Sequence, residues 1–138
     1  MKLFSLFFAV AFLIIFTNNL GIALDKSQNN YSKLIYFHGE HRCQNCIDME
    51  NSIRNILKTE FKEELDSGTI KWESIDYDED INVHFLKDFD MDSQDLIIIR
   101  IVDDKQKDWK KLDKIWDFMS KPKELHDYLI KETKDFIK

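Results

Sequence analysis

Cys43 and Cys46 are the only cysteines in the chain, and only Gln44 and Asn45 separate them. A pair at this spacing can close into a small disulfide and reopen by exchange with an outside thiol, the thiolate of one sulfur being the nucleophile. His41 and Arg42 stand just upstream, and positive charge there favours the thiolate of Cys43. The same stretch carries a competing set of donors. His38, His41, Cys43 and Cys46 read H-x-x-H-x-C-x-x-C, two imidazoles and two thiols of the kind that hold zinc or copper. Against that reading, all four fall in one strand-to-helix turn, where His38 and Cys46 would point apart. A disulfide kept only for stability is a third reading. Crosslink stabilisation grows with the length of the closed loop, and this loop is very short, so stability alone is a poor reason for it.

The elements that must position these residues can be read on either side of them. Leu34 to Phe37 is an apolar run that stops at Gly39, as expected of a central strand covered on both faces. After Cys46, the residues Met49, Ile53, Ile56 and Leu57 recur at helical spacing. The spacing predicts a helix from about Gln44 through Leu57 and on to Leu65, with Gly68 as a left-handed stop. The cysteine pair therefore stands at the mouth of a helix, where unpaired N–H groups and the positive end of the macrodipole stabilise a thiolate. Cys43 becomes the outer, attacking sulfur, and Cys46, one turn deeper, the sulfur that resolves a mixed disulfide.

The rest of the chain reads as one domain, residues 33–138. Thr69 to Ile75 alternates as a strand. The acidic residues Asp76, Asp78, Glu79 and Asp80 lack the glycine and terminal glutamate of a calcium loop and suit a helix N-terminus instead. Ile81, Phe85, Leu86 and Phe89 fall on one face of a helix over 81–89, with His84 as a surface or packing residue. Leu96 to Val102 reads as a buried strand, 103–107 as a polar turn, and Trp109 to Trp116 as a paired antiparallel strand and its exit. Pro122 opens the last helix, whose apolar face holds Leu125, Tyr128, Leu129, Phe136 and Ile137. Phe85, Phe89, Trp109 and Trp116 belong to the core or its edge.

Residues 1–23 stand apart. Lys2 precedes an apolar stretch from Leu3 to Phe16, broken by Ser5, and Gly21-Ile22-Ala23 resembles a cleavage site. This is the pattern of a secretory signal peptide, with a retained N-terminal anchor as the alternative. Residues 24–32 form a polar lead-in. An exported, extracytoplasmic protein, in a bacterium a periplasmic one, can keep its thiols oxidised; an uncleaved leader would be its one link to a membrane. A net charge of −6 excludes a basic field for nucleic acid, and three glycines leave no phosphate-cradling loop.

The element order β-α-β-α-β-β-α, with Cys-x-x-Cys after the first strand, resembles the thioredoxin superfamily over nearly the whole of 33–138. The stretch Phe37-His38-Gly39-x-x-Arg42-Cys43-x-x-Cys46 more specifically resembles exported bacterial thioredoxin-like proteins of the ArsF type, labelled a nitrophenyl-compound nitroreductase subunit. The resemblance implies an α/β three-layer sandwich around a mixed sheet of about four strands. It also implies a thiol–disulfide oxidoreductase with no organic cofactor, Cys43 as nucleophile and Cys46 as resolving thiol. Its partners would be a protein bearing thiols or a disulfide and a second redox protein that resets the pair. The chain departs from the family at three points. Arg42 replaces the tryptophan before the first cysteine, and apolar Phe37 stands where a buried acid is expected. Asp92-Ser93-Gln94-Asp95 replaces the corner that carries a cis-proline. A trans peptide is expected there, with Ser93 and Gln94 lining the active-site surface beside His41, Arg42, Gln44 and Asn45. Loss of that proline implies a Cys43 more open to metals and weaker grip on a substrate peptide. A metal-holding or redox-inert adaptor is thus the alternative from another functional class.

Overall fold

The computed structural model describes residues 30–138. The expected leader, residues 1–23, and residues 24–29 of the lead-in lie outside them. The first strand, β1 (Tyr31–His38), starts three residues before the apolar run that announces it. Leu34 and Tyr36 enter one core and Ile35 and Phe37 the other, because successive side chains of a strand face opposite ways. Four consecutive apolar residues at such a place mean two buried faces. The helix α1 (Gln44–Glu60) follows, and its stripe of Cys46, Met49, Glu50, Ile53 and Leu57 is buried.

The expected continuous helix to Leu65 is interrupted. At Phe61 the backbone leaves the helical region (φ −128°, ψ 33°), and its side chain is wholly buried in the core. A short helix α2 (Lys62–Asp66) resumes and Gly68, at φ 75°, ends it. Only glycine adopts that left-handed conformation without a Cβ penalty.

The strands β2 (Ile70–Asp76), β3 (Asp95–Val102) and β4 (Lys105–Lys111) complete a four-stranded sheet in the order β2-β1-β3-β4. β1 pairs with β2 in parallel and with β3 antiparallel; β4 is antiparallel to β3. Helices α1 and α4 (Pro122–Ile137) cover one face, through Ile53, Leu57, Leu125 and Leu129. The short helix α3 (His84–Asp88) covers the other, where Phe85, Phe89 and Trp109 gather against Phe37. Strand order, strand sense and helix placement together are those of the expected thioredoxin-like α/β sandwich.

Four local expectations need correction. The helix expected over 81–89 is only α3, and Ile81 is 77% exposed rather than on a buried face. The acidic residues ahead of it build a turn instead of capping a helix: Asp76 Oδ1 accepts from Asp78 N at 2.9 Å, and Asn82 Nδ2 donates to Asp76 O at 2.9 Å. Local side-chain bonding of this kind offers the backbone an alternative to helix. The polar turn expected over 103–107 is two residues, Asp103 and Asp104, both at positive φ, which suits a tight hairpin between right-twisted strands. β4 therefore begins at Lys105, and Trp116 lies not on a strand exit but in a 3-10 helix, Asp113–Phe118.

Candidate active site

Cys43 is the N-cap of α1, with extended backbone (φ −76°, ψ 159°). Serine or aspartate commonly holds this position through a side-chain oxygen. Here the Cys43 sulfur takes that place and accepts from Cys46 N at 3.2 Å. The Cys43 carbonyl also accepts from Cys46 N at 3.0 Å and Ile47 N at 3.2 Å. No acidic residue occupies the first turn of α1, so the positive helix end is unopposed there. The two sulfurs are joined in a disulfide with Cα atoms 5.2 Å apart. Cys43 is exposed; Cys46 is 5% exposed. An outside molecule reaches one sulfur and not the other.

Residues from β1, the corner before β3 and the 3-10 helix support the inner sulfur. Tyr36 on β1 donates its hydroxyl to Cys46 O at 3.2 Å, and burial pushes its own pKa up to about 12. Gln94, just before β3, brings Nε2 to 3.4 Å from Cys46 Sγ. Trp116 Nε1 donates to Gln94 O at 3.2 Å, tying that corner to the 3-10 helix. No peptide bond among the described residues is cis. Ser93 is exposed and its hydroxyl turns to Asp92 Oδ1 at 3.4 Å, so of the two corner residues Gln94 is the one brought to the disulfide. Gln44, at 2.8 Å from Asp48, and Asn45 form an exposed rim with His41.

The four candidate metal donors are not assembled. The sulfurs are bonded to each other, and His38 Nδ1 lies 3.0 Å from Gly39 O. Among the described residues no group of three or more His, Cys, Asp or Glu is placed to hold a metal ion.

Arg42 also differs from the sequence expectation. Its guanidinium folds onto α1 and pairs with Glu50, which Arg54 pairs from the other side. Glu50 is 3% exposed. Burial works against its charge, but Arg42, a Ser74 hydrogen bond and Arg54 outweigh it and hold its carboxyl below the usual range. A second buried carboxyl, Asp95, opens β3 opposite Phe37. Burial pushes its pKa up; Lys111, with Nζ at 3.6 Å, opposes this only in part. Sequence reasoning missed Glu50, Tyr36 and Trp116 as parts of the site. A signal for Glu50 was present: an acid one turn after Cys46, inside the apolar row of a helix, needs a partner.

No family model matches the chain, and no curated protein matches it. Among solved structures, thioredoxin O2 from Arabidopsis thaliana, in its oxidized state, is similar with a TM-score of 0.40 and 12% identity, over 70% of this chain and 76% of that chain. The chain's class rests on its own sheet order and helix placement: a thioredoxin-like fold, with a disulfide capping the first long helix.

Proposed function

We propose that the protein is an exported thiol–disulfide oxidoreductase working on a partner protein through Cys43 and Cys46. The observation that carries this reading is the asymmetry of the pair, one sulfur exposed at a helix N-cap and the other buried one turn behind. On reduction, the cap N–H and the helix end favour the Cys43 thiolate. That thiolate attacks a partner disulfide: a Cys43–partner S–S bond forms, the partner's own S–S bond breaks, and the departing sulfur takes a proton from solvent. Cys46 then gives its proton to solvent and attacks Cys43 Sγ. The internal disulfide forms as the mixed one breaks, and the partner leaves as a dithiol. Two electrons have moved from the pair to the partner. A second dithiol protein returns them, and the same steps in reverse oxidise a partner.

Insulin reduction tests the chemistry. Wild type is active, Cys43→Ser is inactive, and Cys46→Ser accumulates mixed disulfides. Activity that survives Cys43→Ser leaves the adaptor reading in its place. Export rests on the composition of residues 1–23, and N-terminal sequencing of the protein from the periplasm or medium tests it, with a start after Ala23 expected. The likeness of Phe37 to Cys46 to ArsF-type proteins supports the placement of the thiols; the proposal takes no nitro-compound substrate from it.

A further inference from the structure

Arg42 immediately precedes the exposed sulfur, and a free guanidinium there would favour the Cys43 thiolate strongly. The structure turns that charge inward. Only a quarter of the Arg42 side chain is exposed, and its Nε is buried with no hydrogen-bond partner among the described residues. Its anionic partner is Glu50 Oε2, and Arg54 takes Glu50 Oε1. Glu50 lies one helical turn below Cys46 on the buried stripe of α1. From the sheet, Ser74 on β2 bonds to the same carboxylate. On β1, Tyr36 sits between the two systems: its hydroxyl is bonded to Cys46 O, and its ionisation responds to Arg42 and Glu50 with opposite signs. Arg42 directly precedes Cys43 and Glu50 follows Cys46 by one turn of α1, so the ion triad flanks the redox pair.

We propose that Glu50 is a positioning residue for the redox pair, a clamp that draws the Arg42 guanidinium onto α1 and withholds its charge from the Cys43 sulfur. The thiolate is then stabilised by the helix end and the Cys46 N–H, without the full contribution of the adjacent arginine. A thiol less acidic than its sequence neighbours suggest makes a more reducing pair, because stabilising the thiolate stabilises the reduced form. Glu50 itself exchanges no proton in this role; its two arginines keep it ionised.

The inference builds on the oxidoreductase reading, but its test does not require turnover. Iodoacetamide alkylation of the reduced protein against pH reports the Cys43 pKa whether or not insulin is a substrate. Inactive wild type would defeat the proposed function and leave this comparison standing. Glu50→Gln keeps the shape and removes the charge. Cys43 should become more acidic by about one unit, and the equilibrium with glutathione should move towards the dithiol by up to tenfold, about 30 mV. In an Arg42→Gln background the effect of Glu50→Gln should shrink to half or less, because no guanidinium is left to release. Glu50→Asp keeps the charge and shortens its reach, and it serves if the glutamine variant does not fold. It should shift Cys43 in the same direction by less. An unchanged Cys43 pKa in the folded variant, or an effect of equal size without Arg42, would overturn the proposal and leave Glu50 a structural anchor.

Discussion

Gly39 links β1 to the loop that delivers Cys43, and an added methyl group there has a calculable consequence. An alanine Cβ would stand 2.8 Å from Asp78 Oδ2 and 3.2 Å from the Tyr77 hydroxyl. Gly39 is not in the left-handed region, so alanine meets no left-handed backbone strain and its effect on the folded state is contact. Asp78 Oδ2 accepts from Glu40 N at 2.9 Å, and the carboxylate cannot retreat without giving up that bond. Losing the bond costs about 0.5–1.5 kcal/mol, and crowding of Tyr77 adds to it. Alanine also stiffens the unfolded chain, which offsets about 0.4–1 kcal/mol. The net is a destabilisation of roughly 1 kcal/mol, or about 4 °C in Tm for a domain of this size. Asp78→Ala removes the obstacle and the bond together. In that background Gly39→Ala should be neutral or slightly stabilising, so the two changes couple by about 1 kcal/mol, above the ~0.3–0.5 kcal/mol scatter of independent sites. Urea unfolding of the four proteins measures the coupling. An equal cost for Gly39→Ala in both backgrounds would refute the contact argument.

Other expectations follow from burial and charge. Burial raises the Asp95 pKa, so in the window above the ordinary carboxylate range the folded protein holds a proton that the unfolded chain has lost. Stability from this group falls as pH rises through that window; Asp95→Asn should remove the slope and raise the urea midpoint at neutral pH. In the reduced protein, Cys43 should be alkylated before Cys46, as peptide mass mapping at short reaction times will show; equal labelling would contradict the exposure difference. Residues 76–95 carry eight carboxylates and one lysine, and Asp78 and Gln94 bring this segment against the redox loop and Cys46. A lysine-flanked disulfide peptide should therefore be reduced faster than a glutamate-flanked one. That preference should vanish once salt shortens the Debye length to about 3 Å.

Much of the fold was legible because its largest elements bury whole faces. Leu34 to Phe37 and Leu96 to Ile99 are runs with both faces covered, and α1 and α4 carry their apolar residues at helical spacing. The failures fall where burial does not set the structure. β4 is an edge strand whose residues are half-buried at most, so KQKDWKK shows no apolar alternation to mark its start at Lys105. Ile81 has the spacing of a helical face but follows a run of aspartates whose side chains compete for the backbone. Apolar periodicity alone cannot tell a residue that packs from one that the preceding turn leaves in solvent.

The site divides along a similar line. That Cys43 stands at a helix start follows from local order, a strand, a short loop and then a 3.6-residue period, and no distant residue is needed to read it. What surrounds the pair depends on pairings across 8 to 48 positions: Arg42 with Glu50, Gln94 with Cys46 at a separation of 48, Trp116 with Gln94. The sequence placed a positive charge beside the nucleophile, and the structure gives that charge an anion of its own. Charge near a reactive sulfur acts according to where its partner lies, so Arg42 cannot be assigned an effect on Cys43 until Glu50 is placed. The rim residues His41, Gln44 and Asn45 are exposed, but the groups bonded to Cys46, Tyr36 and Gln94, come from β1 beneath it and from the corner that leads into β3. A cysteine pair defines the reaction it can perform; the buried groups one layer below decide how far that reaction is biased.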